Sequence, residues 1–257
     1  MYHYETLLIT EPKDGLLEVT LSRPKQLNAL NMLMIDELFH LTSELRGPLL
    51  DKYHAIIFSG AGRAFCSGGD LKEFLGIYEK DHSTIENYIS KFLRLSKVLY
   101  ELPIPTIASL HGAVAGGGAS IALACDIRIA AKQTNIQFNF SRIGLIPDMG
   151  AHYFLPLLIG EANSLEVLYT GRPILSEEAL KIGLIHQVAE GEDLKRQTFE
   201  YASQFENMAP QVFRHIKQLI KNRNYSLDQI LNLETIIQTE RFKSKEFGEA
   251  IGRFFEK

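Results

Sequence analysis

Two glycine clusters stand where a chain could gather negative charge. GAGRAFCSGGDLKEF (60–74) ends in Gly68 and Gly69 before Asp70, and VAGGGASIALACD (114–126) places Gly116, Gly117 and Gly118 before an apolar run. Glycines in front of a helix leave main-chain N–H groups uncovered, and such amides attract anions. Neither turn has the Gly-Lys-Ser or Gly-Lys-Thr of a phosphate loop, and Phe65 sits where a dinucleotide fingerprint needs its third glycine. A developing oxyanion asks only for two converging N–H donors and no lysine. Close helix–sheet packing explains the same glycines, so both readings stand. Asp70 followed by Glu73 has the form of a capping box and predicts a helix from Leu71. Asp148, after Pro147 in GLIPDMG, taken alone is turn chemistry.

The elements that must carry these residues follow from periodicity. TLLIT, the turn EPKDG and LLEVTLS predict a hairpin over the first 22 residues, closed by Pro24. Met34 or Ile35, Leu38, Leu41 and Leu45 recur at helical spacing, with Asn31 placed to cap. AIIFSG (55–60) reads as a buried strand, and SKFLRLSKVLYEL (90–102) as a helix stopped by Pro103 and Pro105. TIASL (106–110) and IRIAA (127–131) flank the second glycine cluster and its helix, a βαβ pattern that predicts an α/β fold. Strand signals vanish from about residue 194, where QVFRHIKQLIKNRN and SLDQILNLETIIQTERF are helical. A chain of 257 residues with 46% hydrophobic and 23% charged residues supports one large domain. Its net charge of −4 gives no reason to expect nucleic acid or an anionic membrane. The basic cluster Arg214, Lys217, Lys221 and Arg223 reads as a solvated helix face, with RNA binding the rival. No signal peptide or membrane span is read. Cys66 and Cys125, distant in sequence and each without a neighbouring second cysteine, support neither a disulfide framework nor a zinc site, so a reduced, cytoplasmic protein is expected.

RPKQLNALN (23–31), FCSGGDLKEF (65–74), HGAVAGGGASIALACDIRIAA (111–131), FSRIGLIPDMG (140–150) and TGRPILSEEALKIGLIHQV (170–188) together resemble the crotonase superfamily of enoyl-CoA hydratases and isomerases. The resemblance runs along nearly the whole chain, in order. It implies a spiral of ββα units over residues 1–193. Residues 194–257 are then the C-terminal α-helical region of the same domain, which in relatives builds trimers or dimers of trimers. It also implies that the N–H groups of Gly69 and Gly117 bind a thioester oxygen. Coenzyme A enters as part of the substrate and no prosthetic group is implied. Its nucleotide end is expected along two segments: Arg23 to Leu30, including Ala29, and Ala64 to Lys72, including Ser67, Gly68, Asp70 and Leu71. Lys72 is a candidate phosphate cation, and Lys257 in the terminal RFFEK a weaker one.

Hydration of a 2-enoyl thioester in this superfamily typically uses two glutamates. Ser120 and Phe140 occupy their places here, and neither side chain is a base near neutral pH. Some relatives that move a double bond carry an Asp or Glu at the position of Asp148, and with both glutamates missing the resemblance makes Asp148 the expected base. Isomerising a 3-enoyl to a 2-enoyl thioester needs one such group, which takes a proton from C2 and returns it at C4. An ordinary aspartate, with a pKa of about 3.9, is a feeble base, so burial against Phe140, Ile146, Met149 and Phe154 is expected to raise it. The alternative is hydration or another CoA-thioester reaction with atypical acid/base residues. Asp126 and His111 read as structural, His152 as a minor candidate for substrate contact, and Cys66 not as a nucleophile.

Overall fold

The computed structural model describes residues 3–190, 193–206 and 208–255, without the side chains of the last two of these. Among them nine strands run in chain order: β1 (Leu7–Lys13), β2 (Leu16–Leu21), β3 (Ala55–Gly60), β4 (Thr106–Leu110), β5 (Ala113–Ala115), β6 (Ile127–Ala131), β7 (Asn135–Gln137), β8 (Ile174–Leu175) and β9 (Gln187–Ala189). The helices are α1 (Met32–Arg46), α2 (Leu71–Tyr78), α3 (His82–Tyr100), α4 (Gly117–Ala124), α5 (Ala151–Ile159), α6 (Glu161–Thr170), α7 (Ser176–Lys181), α8 (Leu194–Ser203), α9 (Pro210–Lys221), α10 (Leu227–Phe242) and α11 (Lys245–Phe255). The chain divides into two compact units, Met1–Glu206 and Asn207–Lys257.

In the first unit a six-stranded sheet has the order β1-β2-β3-β4-β6-β9, parallel except for the β1–β2 hairpin. A second sheet, β5-β7-β8, lies beside it in sequence, and two isolated parallel bridges, Leu30↔Gly69 and Cys66↔Val114, extend its pattern. Three strands of the large sheet, β2, β3 and β4, are each followed by a short extended segment and then a helix. β2 leads through Leu30 to α1, β3 through residues 66–69 to α2, and β4 through β5 to α4. This repetition is the expected spiral.

The parallel strands are buried on both faces, which is why they read as continuous apolar runs. Leu17, Val19, Leu21, Ile56 and Phe58 join the main core with α1, α3 and α4, whereas Leu16, Ala55, Ile57, Ile107 and Ile129 turn to the other face under Leu194 and Ala202 of α8. α1 follows its predicted stripe: Met34, Ile35, Leu38, Leu41 and Leu45 are buried and Asn31 accepts from the Met34 N–H at 3.1 Å. Each fully buried apolar side chain of this stripe contributes about 2 kcal/mol.

Two boundaries differ from expectation. β1 continues to Lys13 through a register shift after Thr10, so the hairpin turn is only Asp14-Gly15 and Pro12 sits on an edge strand that tolerates it. α3 begins at His82, eight residues before the predicted start, because Asp81 caps it by accepting from the Thr84 N–H at 3.1 Å. Its first turns are largely exposed and carry little apolar signal.

The second unit holds α9, α10 and α11. α10 starts with a complete Ser226–Gln229 capping box. The three helices surround an apolar groove of about 890 Å³, lined in part by Val212, Ile216, Leu219, Ile237 and Phe242. Among the described residues no helix is long and apolar enough to cross a membrane.

Candidate active site

The first glycine turn is braced by the segment before α1. Ser67 N–H donates to Leu27 O at 3.0 Å, Leu30 N–H to Gly68 O at 2.7 Å and Asp70 N–H to Leu30 O at 2.9 Å. In such a parallel bridge the amide between the bonded pair turns away from the partner strand, and that amide belongs to Gly69. Asn28, buried and in the left-handed region at φ 56°, gives its side-chain amide to Ala64 O at 2.8 Å and Ala61 O at 2.9 Å. Arg23 closes the corner, donating to Ala29 O and pairing with Asp70 at 2.8 Å. Burial pushes the Asp70 carboxyl upward. The Arg23 guanidinium and the Lys72 N–H outweigh it and hold the group below its usual range.

Asp70 caps α2 as predicted, accepting from the Lys72 N–H at 3.0 Å. The other half of the capping box does not form. Glu73 instead accepts from the Met32 N–H at 3.0 Å and from Tyr88 Oη at 2.9 Å, because two donors from α1 and α3 lie within its reach.

The three glycines of the second turn have separate jobs. Gly116, at φ 51°, makes the bend into α4. Gly117 is the first helical residue, so its N–H has no acceptor within the helix. Gly118 packs: a Cβ there would stand 2.6 Å from the Cys66 main-chain oxygen. An amide with no acceptor within the helix and a close-packed glycine thus sit at adjacent residues.

A cleft of about 120 Å³ is lined by Gly68 and Gly69, by Gly116 and Gly117, and by Asp148. Phe74, Phe92, Phe140 and Met149 supply apolar wall. Phe74 stacks edge-on against Phe92 at 6.2 Å and Tyr88 at 6.1 Å, giving the wall behind Gly69 a three-ring backing. Asp148 is half-buried, its Oδ1 is fully enclosed with no hydrogen-bond partner among the described residues, and burial pushes its carboxyl up to about 6. Ser120, wholly buried on α4, donates its hydroxyl to the Asp148 main-chain oxygen at 3.1 Å.

The expected neighbours of Asp148 are only partly as predicted. Phe140 and Met149 line the cleft with it, whereas Ile146 is 78% exposed because it lies in the open turn before Pro147. Phe154 is buried but packs on Tyr100, with ring centroids 5.0 Å apart.

The other sequence candidates fall as follows. The two expected CoA segments do lie side by side through the bonds from Ser67, Leu30 and Asp70 given above, with Lys72 and Leu71 exposed and Ala29 and Ala64 buried. His152 is exposed and outside the cleft lining, and His111 contacts the Gly62 main-chain oxygen at 3.0 Å. Asp126 accepts from the Thr106 N–H and hydroxyl, each at 2.9 Å. Cys66 is buried, which pushes its thiol up to about 12. Lys257 lies outside the described residues. Sequence reasoning missed Asn28 as a hub and Phe74 as cleft wall. The only hint of Asn28 was an asparagine in a turn, and Phe74 looked like any helical aromatic.

Residues 11–257 match the enoyl-CoA hydratase/isomerase family. The chain is 33% identical to the short-chain-enoyl-CoA hydratase of Clostridium acetobutylicum, with 97% of this chain and 95% of that one covered. It is 30% identical to the 1,2-epoxyphenylacetyl-CoA isomerase of Escherichia coli, covering 97% and 95% respectively. The crystal structure of an enoyl-CoA hydratase from Bacillus anthracis superposes with a TM-score of 0.91 at 28% identity, covering 98% of this chain and 96% of that one. With its repeated ββα turns and glycine-walled cleft, the chain belongs to the enoyl-CoA hydratase/isomerase family of the crotonase superfamily.

Proposed function

We propose that the protein shifts the double bond of a 3-enoyl-CoA to give the conjugated 2-enoyl-CoA, with Asp148 as the proton shuttle. The observation that carries this is a single one: among the described residues lining the cleft, Asp148 is the one carboxylate. It stands beside the two turns whose Gly69 and Gly117 amides are free of helix and ladder duties. In this reading the ionised carboxylate removes a proton from C2. The electrons move into a dienolate whose charge rests on the thioester oxygen, between the two N–H groups. The same carboxyl then protonates C4, so no atom is gained or lost. Losing one oxyanion donor would cost about 2.7–4 kcal/mol in the transition state.

The carboxyl of Asp148 is a better base at about 6 than an ordinary aspartate, yet still ionised at neutral pH. The rate should therefore fall as pH drops through 6, where the base takes up its proton, and level off above. Asp148→Asn should lower 3-enoyl-CoA turnover by about 10²–10⁴-fold while leaving CoA-ester binding within a few fold. Unchanged turnover in that variant would reject the assignment.

A second reading, hydration of a 2-enoyl-CoA, has the name of the Clostridium acetobutylicum relative in its favour. Against it, Ser120 and Phe140 stand where typical hydratases of the superfamily carry glutamates. Comparing 2-enoyl-CoA hydration with 3-enoyl-CoA isomerisation on the same preparation separates the two. The nucleotide end of CoA is proposed to lie along residues 23–30 and 64–72, and the apolar groove of the second unit to pack in a trimer or dimer of trimers.

A further inference from the structure

Asp148 poses a positional problem that its own side chain does not solve. Oδ1 is buried with no hydrogen-bond partner among the described residues, so that oxygen is not pinned by a bond. A group that collects a proton at one carbon and delivers it to another needs that freedom. What holds the base in place must then act on the main chain. Two donors do so: the Ser120 hydroxyl at 3.1 Å and the Ala151 N–H at 3.0 Å both bond to the Asp148 main-chain oxygen.

The Ala151 bond is ordinary turn closure at the start of α5. The Ser120 bond comes from a different element. A serine inside a helix usually returns its hydroxyl to a carbonyl one turn earlier. Ser120 instead reaches a residue 28 positions away, and it is completely buried. Its N–H, bonded to Gly116 O at 3.1 Å, keeps it in the first turn of α4 beside Gly117. The residue after the base, Met149, is held in the left-handed region at φ 48°, where non-glycine residues are uncommon and need surrounding support. Its sulfur lies so near Gly117 that a Cβ there would approach it to 3.0 Å.

We infer that Ser120 is a positioning residue: its hydroxyl ties the Asp148 loop to α4 and so fixes where the base stands relative to the Gly117 N–H. One hydrogen bond thus couples the proton-transfer group to the oxyanion site on a single helix. The inference rests on Asp148 being the base.

Ser120→Ala tests it. The variant removes one donor and leaves the Asp148 carbonyl still bonded to Ala151, so folding should survive with a small change in melting temperature. The expected result is a fall of roughly 10–100-fold in kcat, in line with the cost of about 1 Å of misplacement, with KM within two-fold. Ser120→Cys, a weak donor of similar size, should recover part of the loss. A readout independent of turnover is the titration of the Asp148 carboxyl by carbon NMR in the absence of substrate. If the loop loosens and the carboxyl becomes wetter, its midpoint should drop from about 6 toward the ordinary aspartate range in Ser120→Ala. Wild-type kcat together with an unmoved midpoint would overturn the inference, as would equal loss in kcat and CoA-ester binding. Failure of Asp148→Asn to lose activity would instead strike the base assignment itself.

Discussion

The cleft is walled by two helices that begin in the same way and live in opposite surroundings. All eight residues of α4 are buried, whereas no residue of α2 is, and Leu75 and Tyr78 of α2 are 75% and 78% exposed. Each helix follows a glycine turn, and a glycine at or just before its start, Gly117 or Gly69, lines the cleft. α4 is held by packing on every side. α2 is held at its first turn, by the Arg23–Asp70 pair, by Glu73 to α1 and α3, and by the Phe74 ring cluster. Similar local sequence therefore yields one fixed wall and one pinned only at its base. What separates them is the apolar content behind the turn: ASIALA can be buried all round, and LKEFLGIY cannot.

If α2 hangs on its first turn, cutting that attachment should have the largest effect. Asp70→Ala removes the cap and leaves the Arg23 guanidinium without its acid. Losing an N-cap costs about 0.5–2 kcal/mol and losing a hydrogen bond between charged groups about 1.5–3 kcal/mol, so for this part-buried pair the sum is about 2–4 kcal/mol. Denaturant unfolding should show a loss of that order, with activity falling alongside because Gly69 adjoins the cap. A loss below about 1 kcal/mol would mean that α2 is held by something other than this corner.

The fixed wall carries a stability penalty of its own, through Asp148. Its carboxyl lies near 6 in the fold and near 3.9 in an unfolded chain. Between those values the folded state keeps a proton that the unfolded state releases, so stability falls as pH rises from about 4 to 6. Above 6 the penalty is about 2–3 kcal/mol. The wild-type stability curve should therefore sink relative to that of Asp148→Asn across this window and run parallel to it on either side. Parallel curves throughout would show that the buried acid is not strained by its surroundings.

Packing density supplies the next contrast. At Gly118 an added Cβ meets the Cys66 side chain and main chain at 2.6 Å, and backbone cannot move aside cheaply. Overpacking of this kind costs about 1–3 kcal/mol. Gly118→Ala should lower the melting temperature by several degrees and disturb the spacing between the two turns.

Much of this was legible in the sequence, for reasons that differ by residue. The strands at 55–60, 106–110 and 127–131 lie where predicted, since a parallel strand buried on both faces leaves an uninterrupted apolar run. Asn31 and Asp70 announced their helices because a capping side chain is a local signal. The second sheet left almost no trace, as β5, β7 and β8 have two or three residues each and show no period. Asp148 illustrates the limit at the site. Its local sequence speaks only of a turn, and what makes it a candidate base is enclosure by Phe140 and Met149 together with an anchor from Ser120. Those are long-range contacts, which no window of the chain displays.

The smallest expected effect is the sharpest test of the two-wall comparison, because it predicts a change of sign. Gly76 lies inside α2, and a Cβ added there has nothing within 4 Å. In a helix interior glycine is disfavoured relative to alanine by about 0.5–1 kcal/mol, mostly through the freedom it retains when unfolded. Gly76→Ala should therefore stabilise the protein by a few tenths to 1 kcal/mol, while the same exchange at Gly118 destabilises it. Hydrogen exchange of the α2 amides reads this locally, since a helix attached mainly at its first turn should open without global unfolding. Slower exchange in Gly76→Ala confined to α2 is the expected outcome. If α2 already exchanges as slowly as α4 in the wild type, the two walls are equally rigid and the contrast in burial has no dynamic consequence.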